Sequence, residues 1–585
     1  MQRSSVWSSL LPIGVTTSLI LVASCGVAWN WYRQKDEDAP LRDVDVVVVG
    51  GGISGSAAAA FLASFSSTSF KPTIAIVEKG SELGGILRGK TNSAGLWLPK
   101  TIEDISELSV HIGEADPTQV SAFSQQELES ILRDSTTAIE TLENIGAFDG
   151  LEPSDTTTAY YGETKLTYFH RPIRSLGEKL FAHFVTFFLR HLGGAAGQNV
   201  YNAMPLGDDG LPCFPGPVRR LTQYVERRSE IKTVYNTEVT SLTAVSSDSA
   251  LRRWSVETTN GAIAADHVIF ASGGFAANRD AMKSRGLDTM VPHHWNSINS
   301  GVVEKIAAEH DWQPCPKDQQ ENLPVWYSEA VDHGYGQTQA LLFLNGDSMM
   351  VVNRKGLRVY NEKWPYARRG KVCYEQGGLI AIMDSKNLFG RSHAVKPDPA
   401  QNVYFPHADA GVYIHAKSPE ELASKLEHQS LVEPGFAEAF VSQLDRFNGF
   451  ASTGVDTEFG REASKMVFEP PSNPLMSPID KSDLYAVVLL PSTLDTCCGP
   501  AVDENSHVRY LNTAAAVPGV YVVGNAACSL TRGLYLAGGV PSFSGITHAF
   551  RAVRSIKQEM DELKGNGQCL GHLDNGRNCS SASAM

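Results

Sequence analysis

The chain is short of basic charge: 50 Lys and Arg stand against 64 Asp and Glu, leaving a formal net charge of -14. No long basic run offsets that balance. Nucleic acid is therefore not an expected partner, because binding it rests on neutralising phosphates with Lys and Arg. Cysteine is sparse as well. The nine residues, at 25, 213, 315, 373, 497, 498, 528, 569 and 579, include no pair with the spacing of a zinc site. An odd count over this length makes no disulfide framework. No metal is expected, and a reducing compartment fits this usage best. No internal repeat stands out. With 42% apolar and 19% charged residues over 585 positions, what remains is an ordinary folded protein of two or three domains.

One apolar run stands apart. "LLPIGVTTSLILVASCGVAW", Leu10 to Trp29, has no charge over about 20 residues, the length that crosses a bilayer as a helix. Trp7 lies just before it, and Trp29, Trp31 and Tyr32 cluster at its far edge, as suits the headgroup zones of a membrane. A cleaved signal peptide is the competing reading, since "VASC" (Val22 to Cys25) resembles a bacterial lipoprotein cleavage site. Against it, the apolar stretch continues past Cys25 to Trp29. An uncleaved single-pass anchor is the expectation. Arg33, Lys35 and Arg42 follow the run while only Arg3 precedes it, so the positive-inside rule places the bulk of the protein in the cytosol. In a eukaryote that would be at the endoplasmic reticulum.

After a polar tether comes "VDVVVVGGGISGSAAAAFLA". Val46 to Val49 read as a buried parallel strand, Gly50, Gly52 and Gly55 as G-x-G-x-x-G, and Ser56 to Ala63 as a helix. "TIAIVEKG" supplies a second strand ending in Glu78. The glycines permit a tight turn, close approach of a pyrophosphate and close helix–strand packing, while the helix N-terminus favours negative charge. The Glu78 carboxylate can accept hydrogen bonds from a ribose. Together these parts predict a bound dinucleotide, and the fingerprint alone leaves NAD and FAD open. Gly84, Gly85 and Gly95 in "ELGGILRGKTNSAGLWLP" follow closely, a backbone able to wrap a larger cofactor. "DHVIFASGGFAAN" (Asp266 to Asn278) and "GVYVVGNAACS" (Gly519 to Ser529) are two further strands that run into small residues. Three strand-to-glycine junctions spread over the chain favour FAD.

On these pieces, with "SAGLWLP" (Ser93 to Pro99), "AYYGE" (Ala159 to Glu163) and "VVNRKGLRVYNEKWPY" (Val351 to Tyr366), the chain resembles the fumarate reductase and 3-ketosteroid dehydrogenase family of FAD flavoproteins. Within it, the chain looks most like the 3-ketosteroid Δ1-dehydrogenases. The resemblance runs from about Asp43 to Lys557 and is thin between Leu166 and Pro217. It implies cofactor contacts at Gly50, Gly52, Gly55, Glu78, Gly85, Ser93, Gly95, Val239, Ser272, Gly273, Gly524, Asn525 and Val540. It also implies that Tyr535, in "RGLYLAGGVPSF", and the backbone N–H of Gly539 hold a ketone oxygen. Tyr366 matches the family's base, which removes a proton beside the ketone. Tyr161, with Tyr160 as the alternative, matches the tyrosine that supports that base. A helix from about Ser542 to Lys557 would aim its positive end at the flavin. The chain departs from the family where paired glycines are usual: "LDTCCGP" carries Cys497 and Cys498, small hydrophobes or an altered pocket wall. Leu536 and Ala537 stand where proline and glycine are usual.

The expected fold class is α/β: a discontinuous Rossmann-like FAD-binding domain (43–280 and 456–560) with an inserted α+β substrate or cap domain (281–455). A single N-terminal transmembrane helix within 1–42 would precede it, and a disordered tail (561–585) would follow. "RSLGEKLFAHFVTFFLRHL", Arg174 to Leu192, reads as a core helix or as a surface helix resting on the membrane. The expected function is introduction of a double bond beside the ketone of a 3-ketosteroid or related terpenoid, with a hydrophobic ketone as substrate and an unknown electron acceptor. Two alternatives stand beside it. A fumarate-type alkene reductase would use Arg358, Arg368 and Arg369 on a dicarboxylate. A catalytically silent, membrane-anchored flavoprotein would bind FAD without turnover.

Overall fold

The computed structural model describes residues 43–65, 71–87, 96–97, 124–148, 152–153, 168–170, 216–245, 253–292, 298–316, 325–332, 338–341, 347–364, 366–388, 413–463, 475–528, 530 and 539–565. Strand β1 (Asp43–Val49) is buried over its last six residues, because both of its faces are covered. Helix α1 (Ile53–Ser64) follows at once, then β2 (Ile74–Val77). Helix α2 (Gln125–Asn144) starts at a capping box in which Ser124 and Glu127 satisfy each other's backbone N–H groups. The chain then adds β3 (Ile231–Val234), β4 (Val239–Ala244), β5 (Trp254–Thr258) and β6 (Gly261–Phe270).

Next it leaves this layer for a second sheet that includes β7 (Val325–Asp332), β8 (Met349–Val352), β9 (Leu379–Asp384) and β10 (Leu484–Thr496). Helix α3 (Val302–Glu309) precedes these strands, and α4 (Tyr366–Glu375), α5 (Pro419–His428) and α6 (Phe436–Thr453) lie between them. It returns through β11 (His507–Arg509) and β12 (Ala516–Val522), and closes with α7 (Val540–Gly565).

The first sheet runs β11-β12-β6-β1-β2-β3, with β4 and β5 attached beside β6. The pairs β1/β2, β1/β6, β6/β12 and β2/β3 are all parallel. The predicted strands at 46–49, 73–78, 266–271 and 519–523 therefore lie in this one sheet and end on its same edge. One face carries α1 and α7, whose Phe61 and Phe550 rings meet edge to face at 5.4 Å. The other face packs Trp254, Phe270 and Trp312 against β1 and β12. Helix α2 is tied to α7 by a buried carboxylate: Asp134 accepts from Arg551 and Arg554, each at 2.7 Å. In the second sheet β10 is the spine, antiparallel to both β7 and β9.

The expected membrane localisation is corrected. Among the described residues no helix is long and apolar enough to cross a membrane. The segment on which that reading stood, 10–29, lies outside them, as do the 174–192 helix and the tail beyond 565.

Candidate functional site

The common edge of the parallel strands opens into a cavity. Its wall is the turn after β1 (Gly50, Gly52, Ile53), Glu78 after β2, Gly84 to Ile86, Thr237 to Val239, Ala271 to Gly273 after β6, and Asn525 after β12. Asn299, Asp495, Pro541 and Ser542 complete it. Each glycine has its own reason. Gly50 has φ +94, and a Cβ there would lie 2.7 Å from the carbonyl oxygen of Ala271. At Gly55 a Cβ would sit 1.9 Å from the carbonyl oxygen of Gly50, so this position lets α1 pack onto the turn. At Gly52 no atom of the described residues lies within 4 Å of the place a Cβ would take. That open space belongs to the cavity, where a ligand can approach backbone.

Glu78 does more than the sequence suggested. Its carboxylate accepts from Gly51 N–H at 2.7 Å and from Gly80 N–H at 2.6 Å, which pins the glycine turn to the end of β2. Each oxygen keeps a lone pair for a ribose hydroxyl. Lys79 is the one basic side chain among the described lining residues, and it is paired at 2.7 Å with Glu238. A diphosphate here would be held by backbone N–H groups and by the N-termini of α1 and α7, both of which reach the cavity, rather than by side-chain cations.

Of the expected cofactor residues, Gly50, Gly52, Glu78, Gly85, Val239, Ser272, Gly273 and Asn525 line this cavity. Gly55 and Gly524 lie under it. A Cβ at Gly524 would meet Ser54 Oγ at 2.5 Å, and one at Gly545 on α7 would meet the same atom at 2.2 Å, so small residues bring α1, α7 and the end of β12 together. Val540 is buried as the first residue of α7. Gly539, with φ +87, accepts from Phe543 N–H and turns the chain into that helix, two residues ahead of Pro541. The helix opens two residues earlier than expected and runs eight residues longer. Tyr366 is the first residue of α4. Tyr161, Tyr535, Ser93 and Gly95 lie outside the described residues.

Two wall residues carried no sequence signal. Asp495, at the end of β10, accepts from Asn299 Nδ2, Asn525 Nδ2 and its neighbour Thr496 N–H, each at 2.8 Å. Burial pushes its carboxyl up to about 6, against the lowering effect of those hydrogen bonds. Asn299 stands 196 positions away and meets it only because β10 crosses from the second sheet.

Arg358 is fully buried and forks onto Glu362 (2.8 and 3.0 Å) and Asp456 (3.0 and 3.2 Å). Arg461 joins Glu362 at 3.0 Å. Arg369 pairs with Glu329 at 3.0 Å, and Arg368 stacks over Trp364 at 3.5 Å. Each of the three arginines considered for a dicarboxylate is thus engaged within the fold.

A strand–glycine–helix edge lined by backbone donors, with a carboxylate after the second strand, defines a dinucleotide-binding protein. A family profile described as "FAD binding domain" matches residues 45–541. The chain belongs to that family of FAD-dependent oxidoreductases, as the resemblance implied. Relatives include the 3-oxosteroid 1-dehydrogenase of Mycolicibacterium smegmatis, 25% identical over 44% of this chain and 46% of that protein. Another is the 4-oxocyclohex-2-ene-1-carboxylate 5-dehydrogenase of Sinomonas cyclohexanicum, 25% identical over 52% of each. The chain spans about half the length of these curated relatives. In fold it is similar to the 3-ketosteroid Δ1-dehydrogenase of Sterolibacterium denitrificans (TM-score 0.66, 18% identity, 88% of this chain and 100% of that one). It is also similar to a flavocytochrome c3 fumarate reductase (TM-score 0.58, 17% identity, 91% and 81%).

FAD is the cofactor, and the residues present fit it. The Oγ of Ser272, in the cavity wall, is buried with no hydrogen-bond partner among the described residues. An orphaned hydroxyl of this kind calls for a ligand atom. Gly52 leaves the open approach that a pyrophosphate needs.

Proposed function

We propose that the chain is an FAD-dependent dehydrogenase that introduces a carbon–carbon double bond beside the ketone of a 3-ketosteroid or related polycyclic terpenoid. Bound FAD would supply the two-electron acceptor for the hydride lost from the β carbon. The protein's part is to hold the ketone oxygen and to remove the proton between them. Tyr535 and the Gly539 N–H are the proposed donors to that oxygen, each worth roughly 3–4 kcal/mol as charge develops on it. Tyr366 is the proposed base, with Tyr161 supporting it, since tyrosine with a pKa of about 10 needs such help.

The observation that carries this reading is the placement of Gly539. It is left-handed, buried, and set directly at the α7 N-terminus, beside Pro541 and Ser542 of the cavity wall. The names of the relatives, ketone dehydrogenases in both cases, support the substrate class. The engagement of Arg358 and Arg369 with buried carboxylates speaks against a dicarboxylate reductase. We also propose the division into 43–280 and 456–560 for the cofactor and 281–455 for the cap; two separate sheets support it, although β10 pairs within the second sheet.

The test is anaerobic mixing of the FAD-loaded chain with a panel of saturated 3-ketosteroids, read at the absorbance band of oxidised flavin. Bleaching is expected, and Tyr535→Phe should slow it roughly 100- to 1000-fold with FAD still bound. If no ketone bleaches the flavin while fumarate reoxidises the reduced protein, the reductase reading replaces this one.

A further inference from the structure

Four cysteines that are scattered in sequence meet beside the cofactor cavity. Cys497 and Cys498 follow Asp495 at the end of β10, Cys528 lies three residues beyond Asn525, and Cys315 follows Trp312. None is in a disulfide. The backbone fixes their meeting: Cys498 and Cys528 face each other in an antiparallel bridge, Cys528 N–H donates to Pro500 O at 3.0 Å, and Ala501 N–H to Gln313 O at 2.8 Å. The Sγ atoms of Cys315 and Cys528 are 2.9 Å apart, within about 0.9 Å of a covalent S–S length of roughly 2.05 Å. Among the described residues no group of three or more His, Cys, Asp or Glu side chains is arranged to hold a metal ion.

We propose that Cys315 and Cys528 are a thiol–disulfide site that a hydroperoxide oxidises reversibly. Cys528 is half-buried while Cys315, Cys497 and Cys498 are buried, so the oxidant enters at Cys528. Its Sγ attacks the peroxide O–O bond, giving a sulfenic acid and, from hydrogen peroxide, one water. The Cys315 sulfur then displaces the hydroxyl, the S–S bond forms and a second water leaves. Two thiols lose two electrons and two protons, and both peroxide oxygens end as water. Cys315, buried behind Cys528 at 2.9 Å, is the resolving thiol. Its hydrogen bonds with Cys498 and Cys528, with burial, push its thiol far above the usual range, so the second step is slow beside that of exposed thiolates. The bond would fasten the segment after Asn525 to the loop at Cys315, and FAD should leave the oxidised protein more slowly.

The experiment uses the full chain with FAD bound. It is incubated with hydrogen peroxide, unfolded in N-ethylmaleimide, digested without reduction and mapped by mass spectrometry. A peptide pair joining Cys315 to Cys528, two hydrogens lighter than the thiols and released by dithiothreitol, is the expected result. Cys373, buried in the core of the second sheet, should remain alkylatable. Cys315→Ser should abolish the link, leave a sulfenic acid on Cys528 that a dimedone-type probe captures, and remove the slowing of FAD release. A Cys498–Cys528 link, oxyacids on Cys528 with Cys315 still alkylatable in the unsubstituted chain, or no loss of thiol would each overturn the proposal.

Discussion

Arg358→Met separates a guanidinium that holds the fold from one that clamps a substrate. Arg358 and Glu362 have no exposed side-chain surface, and the Phe447 and Phe459 rings lie 5.2 and 5.0 Å from the guanidinium carbon. Burial would raise the Glu362 carboxyl, but Arg358 and Arg461 hold it below the ordinary carboxylate range. Removing Arg358 leaves Glu362 with Arg461, while Asp456 loses both of its contacts to the guanidinium. Breaking a buried pair on one side costs about 3–5 kcal/mol. With a urea dependence of about 3 kcal/mol per M for a large unit, the midpoint should fall by roughly 1 M or more. Arg358→Lys keeps the charge but loses the fork and should fall between. The pH sign follows from the depressed carboxyl. The cluster's contribution is fully present above the unfolded pKa of Glu362 and is lost as pH falls through the folded one, so the arginine-less protein should show a flatter acid limb. Urea titrations followed by circular dichroism, at neutral and acid pH, decide the matter. An unchanged midpoint, with turnover of a dicarboxylate alone abolished, would refute the structural assignment and revive the reductase reading.

Gly52→Ala should fold with unchanged stability yet bind FAD at least about tenfold more weakly, because its Cβ would enter only the cavity. Gly55→Ala should lose roughly 1–3 kcal/mol of stability in the absence of FAD, because its Cβ would strike the Gly50 carbonyl; calorimetry of apo-protein and FAD titration tell the two apart, and the opposite assignment would sink the turn geometry. His507 sits between Asp503 and Glu559, and although burial lowers its pKa these carboxylates raise it to about 9. Its contribution, roughly 3 kcal/mol from a rise of 2.5 over 6.5, is present below pH 6.5 and lost towards 9, so His507→Gln should flatten melting temperature against pH in that window, and parallel curves would contradict it.

What could be read in the sequence was what is local. The valines of β1, the glycine turn, the alanines of α1 and Glu78 stand within 36 consecutive residues, from Asp43 to Glu78, and each obeys a short-range rule. The two later strand-to-glycine junctions were legible for the same reason. Asp495 was not, because its meaning depends on Asn299 and Asn525, and an aspartate in a strand end carries no pattern of its own. Arg358 read from sequence as a candidate dicarboxylate clamp, and only the fold brings Asp456 to it from 98 positions away. The cysteines gave a spacing that excluded a zinc motif, which says nothing of thiols gathered by three separate segments. Glu78 was legible as an acceptor, while its second use, holding Gly51 and Gly80, depends on the turn closing back on it.

The deeper reason the cofactor half was readable lies in the parallel sheet. Strands that run together end together, so any glycine just past a strand end reaches the same edge, however far apart the strands are in sequence. No such rule governs the cap. Strand β10 belongs to the second sheet yet delivers Asp495 into the cavity wall, where it meets Asn299. Thr496 Oγ accepts from Phe275 N–H at 2.8 Å, and a Cβ on Gly274 would lie 1.9 Å from that same oxygen. The absent side chain at 274 is what lets the end of β10 rest on the loop after β6. Any residue larger than glycine there would have to displace the Thr496 side chain, and with it the bond from Phe275 N–H, and would crowd the Asp495 carboxylate. The seat of β10 on the loop after β6 thus depends on a glycine that the dinucleotide fingerprint does not include.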